Sequence, residues 1–288
     1  MLRLATPILL GAALLAGAAP AMAADLYVPP VIETPPPVYY EPEKPDFGGW
    51  YIRGDLDYHF LGFRGGTYIT YGCPGCGPTP GTNSFDTGTL RSTFSAGGGI
   101  GYQVNRYFRV DLTGDYLFGS QFTGSTSGDT CGPGGGPCTS TDTSTFSALL
   151  LLANAYAELG TWHRITPYLG AGLGGARVAW GDLTNVTDTT SVHAGATSWR
   201  FAWALMAGAS YCLTDKFKLD VGYRYTRISG GRMFEWGPAG AAIGAGPGFD
   251  AGIDVHEARA GLRYSFGGNP ACAPKEHIPY EPQIAVYK

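Results

Sequence analysis

The 288-residue chain carries 45 Gly, 18 Tyr and 14 Phe, and only 15% of its residues are charged. That is too aromatic and glycine-rich, and too sparsely charged, for an ordinary helical enzyme. A net charge of −4 gives no sign of a nucleic-acid partner, and six Cys fit an exported, disulfide-bonded chain.

Residues 1–23 read as a secretory signal peptide. Arg3 is their only charge, an apolar run extends from Ile8 to Ala19, and Ala21-Met22-Ala23 supplies small residues at a cleavage site. The run is too short to cross ~30 Å of hydrocarbon as a helix. Cleavage after Ala23 leaves Ala24-Asp25-Leu26 at the front and takes the net charge from −4 to −5. Residues 24–48 form a strap with seven prolines between Pro29 and Pro45. Such a segment extends as polyproline II at ~3.1 Å per residue, a reach of several tens of Å. It serves as a tether or as a flexible leader.

From Trp50 the sequence alternates with period two. Trp50, Ile52, Leu56, Tyr58 and Phe60 lie on one face, and Tyr51, Arg53, Asp55, Asp57 and His59 on the other. Eight such strands are expected near 49–61, 90–103, 107–118, 145–160, 166–180, 198–212, 217–229 and 253–266. The gaps alternate between short ones (104–106, 161–165, 213–216) and long ones rich in Gly, Thr, Ser and Asp (62–89, 119–144, 181–197, 230–252). This pattern predicts an all-β fold, an eight-stranded antiparallel transmembrane β-barrel with short turns on one side and long loops on the other. A barrel spans 49–266, and a tail follows over 267–288.

A soluble β-sandwich also alternates, but the aromatics favour the barrel. On the apolar face they gather at strand ends, as in two membrane-interface girdles. Trp50, Tyr102, Phe108, Tyr168, Tyr211, Phe217, Tyr264 and Phe266 make one girdle. Tyr58, Phe60, Tyr116, Phe118, Trp180, Trp199 and Tyr225 make the other.

Charges then face the lumen, because a cation on the lipid face costs ~2–4 kcal/mol at midplane. Parity assigns inward Arg53, Asp55, Asp57, Arg91, Arg109, Asp111, Asp115, Glu158, Arg177, Arg200, Lys218, Asp220, Arg224, Glu257, Arg259 and Arg263, with His59 among them. Eight strands enclose a space that side chains can fill. A salt-bridge plug is therefore favoured over a selective channel.

Cys131 and Cys138 flank a glycine-rich hairpin that a disulfide can close. Cys73 and Cys76 form a C-x-x-C in the first long loop. Without the context of a redox or zinc site they read as a local disulfide, with cross-pairing between the two loops also open. Cys212 and Cys272 both belong at the short-turn rim and are expected to pair, pinning the tail. No metal or cofactor site is expected. His256 and Asp254 face outward near the long-loop rim, with Ser229 a possible neighbour; a rim histidine is far more often a headgroup contact than a catalyst, so no enzyme is expected. The loop over 230–252 carries Phe234, Trp236 and Phe249, a sticky set for a ligand outside the cell.

The Ala-Met-Ala/Ala-Asp-Leu start, the opening Phe47 to Gly54 and the closing Ala260 to Phe266 together resemble the alphaproteobacterial outer-membrane β-barrel family of small opacity-like and porin-family-like proteins. The resemblance covers roughly 24–266. It implies a monomer in outer-membrane lipid, with periplasmic termini, inserted by the barrel-assembly machinery through a final-strand signal at Leu262, Tyr264 and Phe266. It also implies peptidoglycan as a partner, because some such barrels are joined to it through an N-terminal Ala-Asp, here Ala24 and Asp25. Relatives typically stop at the terminal Phe; here 22 residues follow Phe266. The expected function is a structural barrel that supports envelope integrity, with a peptidoglycan tether at its mature N-terminus as the sharper form of that expectation. The alternatives are a narrow porin-like channel and a surface-loop ligand- or host-binding barrel.

Overall fold

The computed structural model describes residues 48–71, 80–131, 136–238, 244–267 and 269–272. Eight long strands carry the fold: β1 (Gly49–Phe63), β2 (Thr93–Gln103), β3 (Phe108–Ser125), β4 (Thr141–Glu158), β5 (Ile165–Trp180), β6 (Thr197–Cys212), β7 (Phe217–Phe234) and β8 (Gly244–Ser265). Each pairs antiparallel with the next, and β8 pairs back onto β1 from Tyr51↔Ser265 to Phe63↔Ile253. The sheet therefore closes on itself and leaves no edge along these strands.

The short turns are written locally. In the turn after β2, Asn105 Oδ1 accepts from the Tyr107 and Phe108 amides at 2.8 and 3.0 Å. In the turn after β6, Thr214 Oγ1 accepts from the Lys216 and Phe217 amides at 3.2 and 3.0 Å. Both use a polar side chain to satisfy turn amides. At the other end the strands run on past the girdle and the loops add further sheet. Gly66–Thr70 pairs with β8 and with Gly81–Ser84, and Leu183–Val186 pairs with β4 and with Thr190–His193.

The period-two pattern sets the two faces. Outward lie Leu56, Ile100, Leu112, Leu173, Leu205 and Val221, all exposed and apolar, as hydrocarbon requires. Inward lie Arg53, Asp55, Asp57 and His59 on β1, all buried. A bulge in β3 between Leu117 and Ser120 resets the parity. Leu117 and Phe122 are therefore both fully buried although they lie an odd five positions apart.

β5 departs from the expected parity. Tyr168 and Trp180, expected in the lipid girdles, are 6% and 4% exposed and point inward. Arg177, expected inward, is exposed on the outer wall. The inward face of β5 carries Gly170 and Gly172 because Tyr156 and Asn154 of β4 fill the space beside them. That glycine face resembled a lipid face in sequence. Arg91 also differs: it lies exposed beyond the end of β2, where its carbonyl accepts from Ser120 Oγ.

Glycine at two wall positions makes room for lumen carboxylates. A Cβ on Gly97 would run into the Asp115 carboxylate, and one on Gly261 into that of Asp55. Gly97→Val is expected to destabilise the barrel by ~1–3 kcal/mol through overpacking, read from its urea unfolding midpoint in detergent.

Candidate functional site

The lumen contains two stacked layers. The layer toward the short turns is charged. Arg224 of β7 is fully buried and pairs with Asp115 of β3 at 2.7 Å, with Asp57 of β1 at 3.6 Å, and with Glu257 of β8. β7 and β3 lie four strands apart in either direction around the ring, so the Arg224–Asp115 pair spans the full diameter. A second diametric pair joins Arg263 of β8 to Glu158 of β4 at 3.4 Å.

Further pairs fill the space between. Arg259 reaches Asp55 and Asp57, each at 3.2 Å, and Asp115 at 3.5 Å. Arg53 holds Asp55 at 2.7 Å and Asp111 at 3.0 Å. Arg109 lies 3.0 Å from Glu158, with its guanidinium 3.7 Å over the Tyr156 ring. Arg263 also meets Asp220 at 3.2 Å. His59 Nδ1 sits 3.1 Å from Glu257, as its inward parity predicts. With Lys218 included, six cations face seven carboxylates, and all are buried. Arg200 stands apart, higher in the lumen, on Asp250 at 2.7 Å.

The layer toward the long loops is apolar, and sequence reasoning missed it. Phe63, Phe122, Phe146 and Trp180 pack edge to face, with centroids 5.0 to 6.3 Å apart. Leu117, Leu150, Leu152, Ile228, Ile253 and Val255 surround them, each at most 2% exposed. Phe63 on β1 and Trp180 on β5 face each other across the ring, four strands apart. Trp180 Nε1 donates to Asp250 at 3.0 Å. The available signal was the continuous run Leu149 to Leu152: a strand that is apolar on both faces has lipid on one and a core on the other.

Phe234 of the expected sticky loop is turned inward and 2% exposed, whereas Trp236 and Phe249 remain on the surface. Ser229 pairs with Gly252 and does not adjoin His256, whose strand neighbours are Phe60 and Tyr225. Among the described residues no cluster of His, Cys, Asp and Glu could hold a metal.

At the short-turn rim Cys212 and Cys272 are joined, with Cα atoms 5.5 Å apart. The Asn269 amide donates to the Asp215 carbonyl at 2.7 Å, so the start of the tail lies against the turn after β6. Reduction of this bond is expected to cost ~2–4 kcal/mol, because it closes a long chain loop. Comparing urea midpoints of the wild type with and without reductant, beside Cys272→Ser, tests this. Cys138 is disulfide-bonded, and Cys131 lies on the facing strand of the same hairpin. Cys73, Cys76, Ala24 and Asp25 lie outside the described residues. Leu262 and Phe266 face outward at the end of β8 with Tyr264 half-buried between them, and the Phe266 amide donates to the Trp50 carbonyl at 3.0 Å.

Residues 10–266 match the model of the outer membrane protein beta-barrel domain. The chain belongs to that family. Uncharacterized proteins of Brucella abortus and Brucella suis are each 37% identical to it over 271 residues, which is 85% of this chain and 93% of theirs. Among solved structures it is similar to Neisserial surface protein A, at 17% identity over 76% of this chain and 97% of that one, with a TM-score of 0.39. It is also similar to OprG from Pseudomonas aeruginosa, at 16% identity over 75% and 96% of the two chains, with a TM-score of 0.43. This outer-membrane barrel therefore has its short turns and both ends of the barrel chain in the periplasm and its long loops outside the cell.

Proposed function

We propose that this outer-membrane barrel is a sealed structural element of the envelope, joined to peptidoglycan through Ala24. The filled lumen carries the reading. Ion pairs cross its whole diameter at Arg224–Asp115 and Arg263–Glu158, and an aromatic layer closes it above. An ion entering this lumen would have to displace buried partners that are themselves costly to separate.

The tether draws support from sidedness and reach. Gly49 pairs with Gln103 beside the periplasmic turn 104–107, so the first barrel strand begins on the periplasmic side. Its seven prolines give it stiffness and span.

Two measurements test the two halves. Purified sacculi digested with trypsin and then lysozyme are expected to release a muropeptide bonded to the peptide that begins at Ala24. A free Ala24 peptide from cells rich in the protein overturns the tether. Purified protein in a planar bilayer is expected to give no discrete conductance steps. Steps overturn the seal and bring forward the channel.

A further inference from the structure

Charge on the outer wall is sparse, and where it occurs in the strands it sits at the extracellular end. One group is organised. Asp254 of β8 faces outward and accepts from Tyr225 Oη at 2.8 Å, from Arg227 Nη1 at 3.0 Å and from Arg64 Nη1 at 3.1 Å. Its two oxygens are thereby engaged. One positive charge is left over from the two guanidinium groups. Arg227 Nη2 also donates to the Ala251 carbonyl at 2.9 Å. Arg64 Nε and Nη2 and Arg227 Nε donate to no other group among the described residues.

The backbone is shaped around this group. Gly65 and Gly252 both have positive φ, at 93° and 107°. A Cβ at Gly252 would meet the Ile228 carbonyl at 2.5 Å and Arg227 Nη2 at 3.0 Å, so the backbone as well as the positive φ calls for glycine where that guanidinium lies over the chain. The Arg64 amide donates to the Gly252 carbonyl at 3.2 Å, which ties the chain after β1 to β8.

The wall below is graded in polarity along β8. One step toward the membrane lie His256, Phe60 and Tyr225, and Tyr223 Oη contacts His256 Nδ1 at 2.6 Å. Below them Ala258 lies between Tyr58 and Tyr223, and Ala260 between Leu56 and Val221. Two alanines between four large side chains make an apolar trough along β8. It ends at aromatic rings and then at a pair of arginines. Acyl chain, interface and acidic headgroup follow one another in that order in a lipid.

We propose that Arg64 and Arg227 clamp the phosphate of an acidic glycolipid of the outer leaflet, with one of its acyl chains in the Ala258–Ala260 trough. Guanidinium groups suit this ligand, because they offer paired donors to phosphate oxygens. Asp254 holds both arginines in place before the lipid arrives, which lowers the ordering cost on binding. The extracellular position of the clamp selects the outer-leaflet lipid over a glycerophospholipid of the inner leaflet. The sealed lumen plays no part in this site.

The test uses the full-length protein in phosphatidylcholine nanodiscs doped with diphosphoryl lipid A or, in a second arm, with phosphatidylglycerol. Native mass spectrometry after release into detergent reads the retained lipid. Wild type is expected to keep lipid A, and Arg64→Gln with Arg227→Gln to lose at least about tenfold of it. Ala260→Phe keeps both arginines but fills the trough, and is expected to lose lipid A as well. Arg177→Gln, outward but outside the group, serves as the control and is expected to retain it. These substitutions lie on the outer wall, and heat-modifiable gel mobility reports that each barrel is folded. Equal retention by wild type and the double variant overturns the site. Equal retention of phosphatidylglycerol overturns the glycolipid assignment.

Discussion

Arg224→Ala is expected to be the most damaging single substitution in the barrel. Arg224 is fully buried and is the shared partner of Asp57, Asp115 and Glu257. Its removal leaves these carboxylates facing one another with Arg259 as the main remaining cation between them. Breaking a buried ion pair from one side costs ~3–5 kcal/mol. Here one residue serves several pairs, so the loss should reach the top of that range or prevent insertion. Neutralising the group together, with Arg224→Met, Asp115→Asn and Glu257→Gln, is expected to recover most of the loss, because uncompensated charge and not missing volume is the cause. Urea unfolding in detergent, followed by tryptophan fluorescence, measures both. A single variant that loses less than ~1 kcal/mol would mean that water already screens these carboxylates and that the lumen is wet.

The aromatic layer gives the second large effect and tests how the seal is built. Trp180→Ala removes the ring that packs on Phe63, Phe122 and Phe146, together with the donor to Asp250. An aromatic-to-alanine change in a packed core costs ~3–5 kcal/mol. Asp250 keeps its pair with Arg200, so the loss is expected to be a cavity and not an orphaned charge. The variant should still pass no current in a planar bilayer, because the charged layer beneath it is intact. Current through Trp180→Ala alone would show that the ion pairs leak and that the aromatic layer is the only barrier.

Several features of the fold were legible in the residues because lipid permits few solutions. A strand crossing hydrocarbon needs apolar side chains at every second position and a partner on both edges. That makes the alternation Trp50, Ile52, Leu56, Tyr58 and Phe60 diagnostic, and it puts Arg53, Asp55, Asp57 and His59 inside. The same logic placed Arg109, Asp111 and Asp115 on β3, Asp220 and Arg224 on β7, and Glu257, Arg259 and Arg263 on β8. It failed on β5, where the middle of the lumen face is Gly170, Gly172, Gly174 and Ala176 and carries no charge. Parity there rested on Arg177, which sits at the extracellular interface, where an outward cation costs little. The outward pair Arg227 and Asp254 shows the same exception.

The sequence alone determined which side chains face lipid and which face the lumen on most strands, how many strands there are, and which gaps are turns. Each of these depends on period two and on residues close together in the chain. The tertiary structure decided who meets whom across the ring. Arg224 finds Asp115 over a separation of 109 residues, and Arg53 finds Tyr156 over 103. It also decided that Leu117, Phe122, Leu150 and Trp180 share one dry layer, and that Arg64 lies beside Arg227. Such contacts depend on strand register and on where β8 closes against β1. Those are set by the packing of all eight strands together, and no local pattern encodes them.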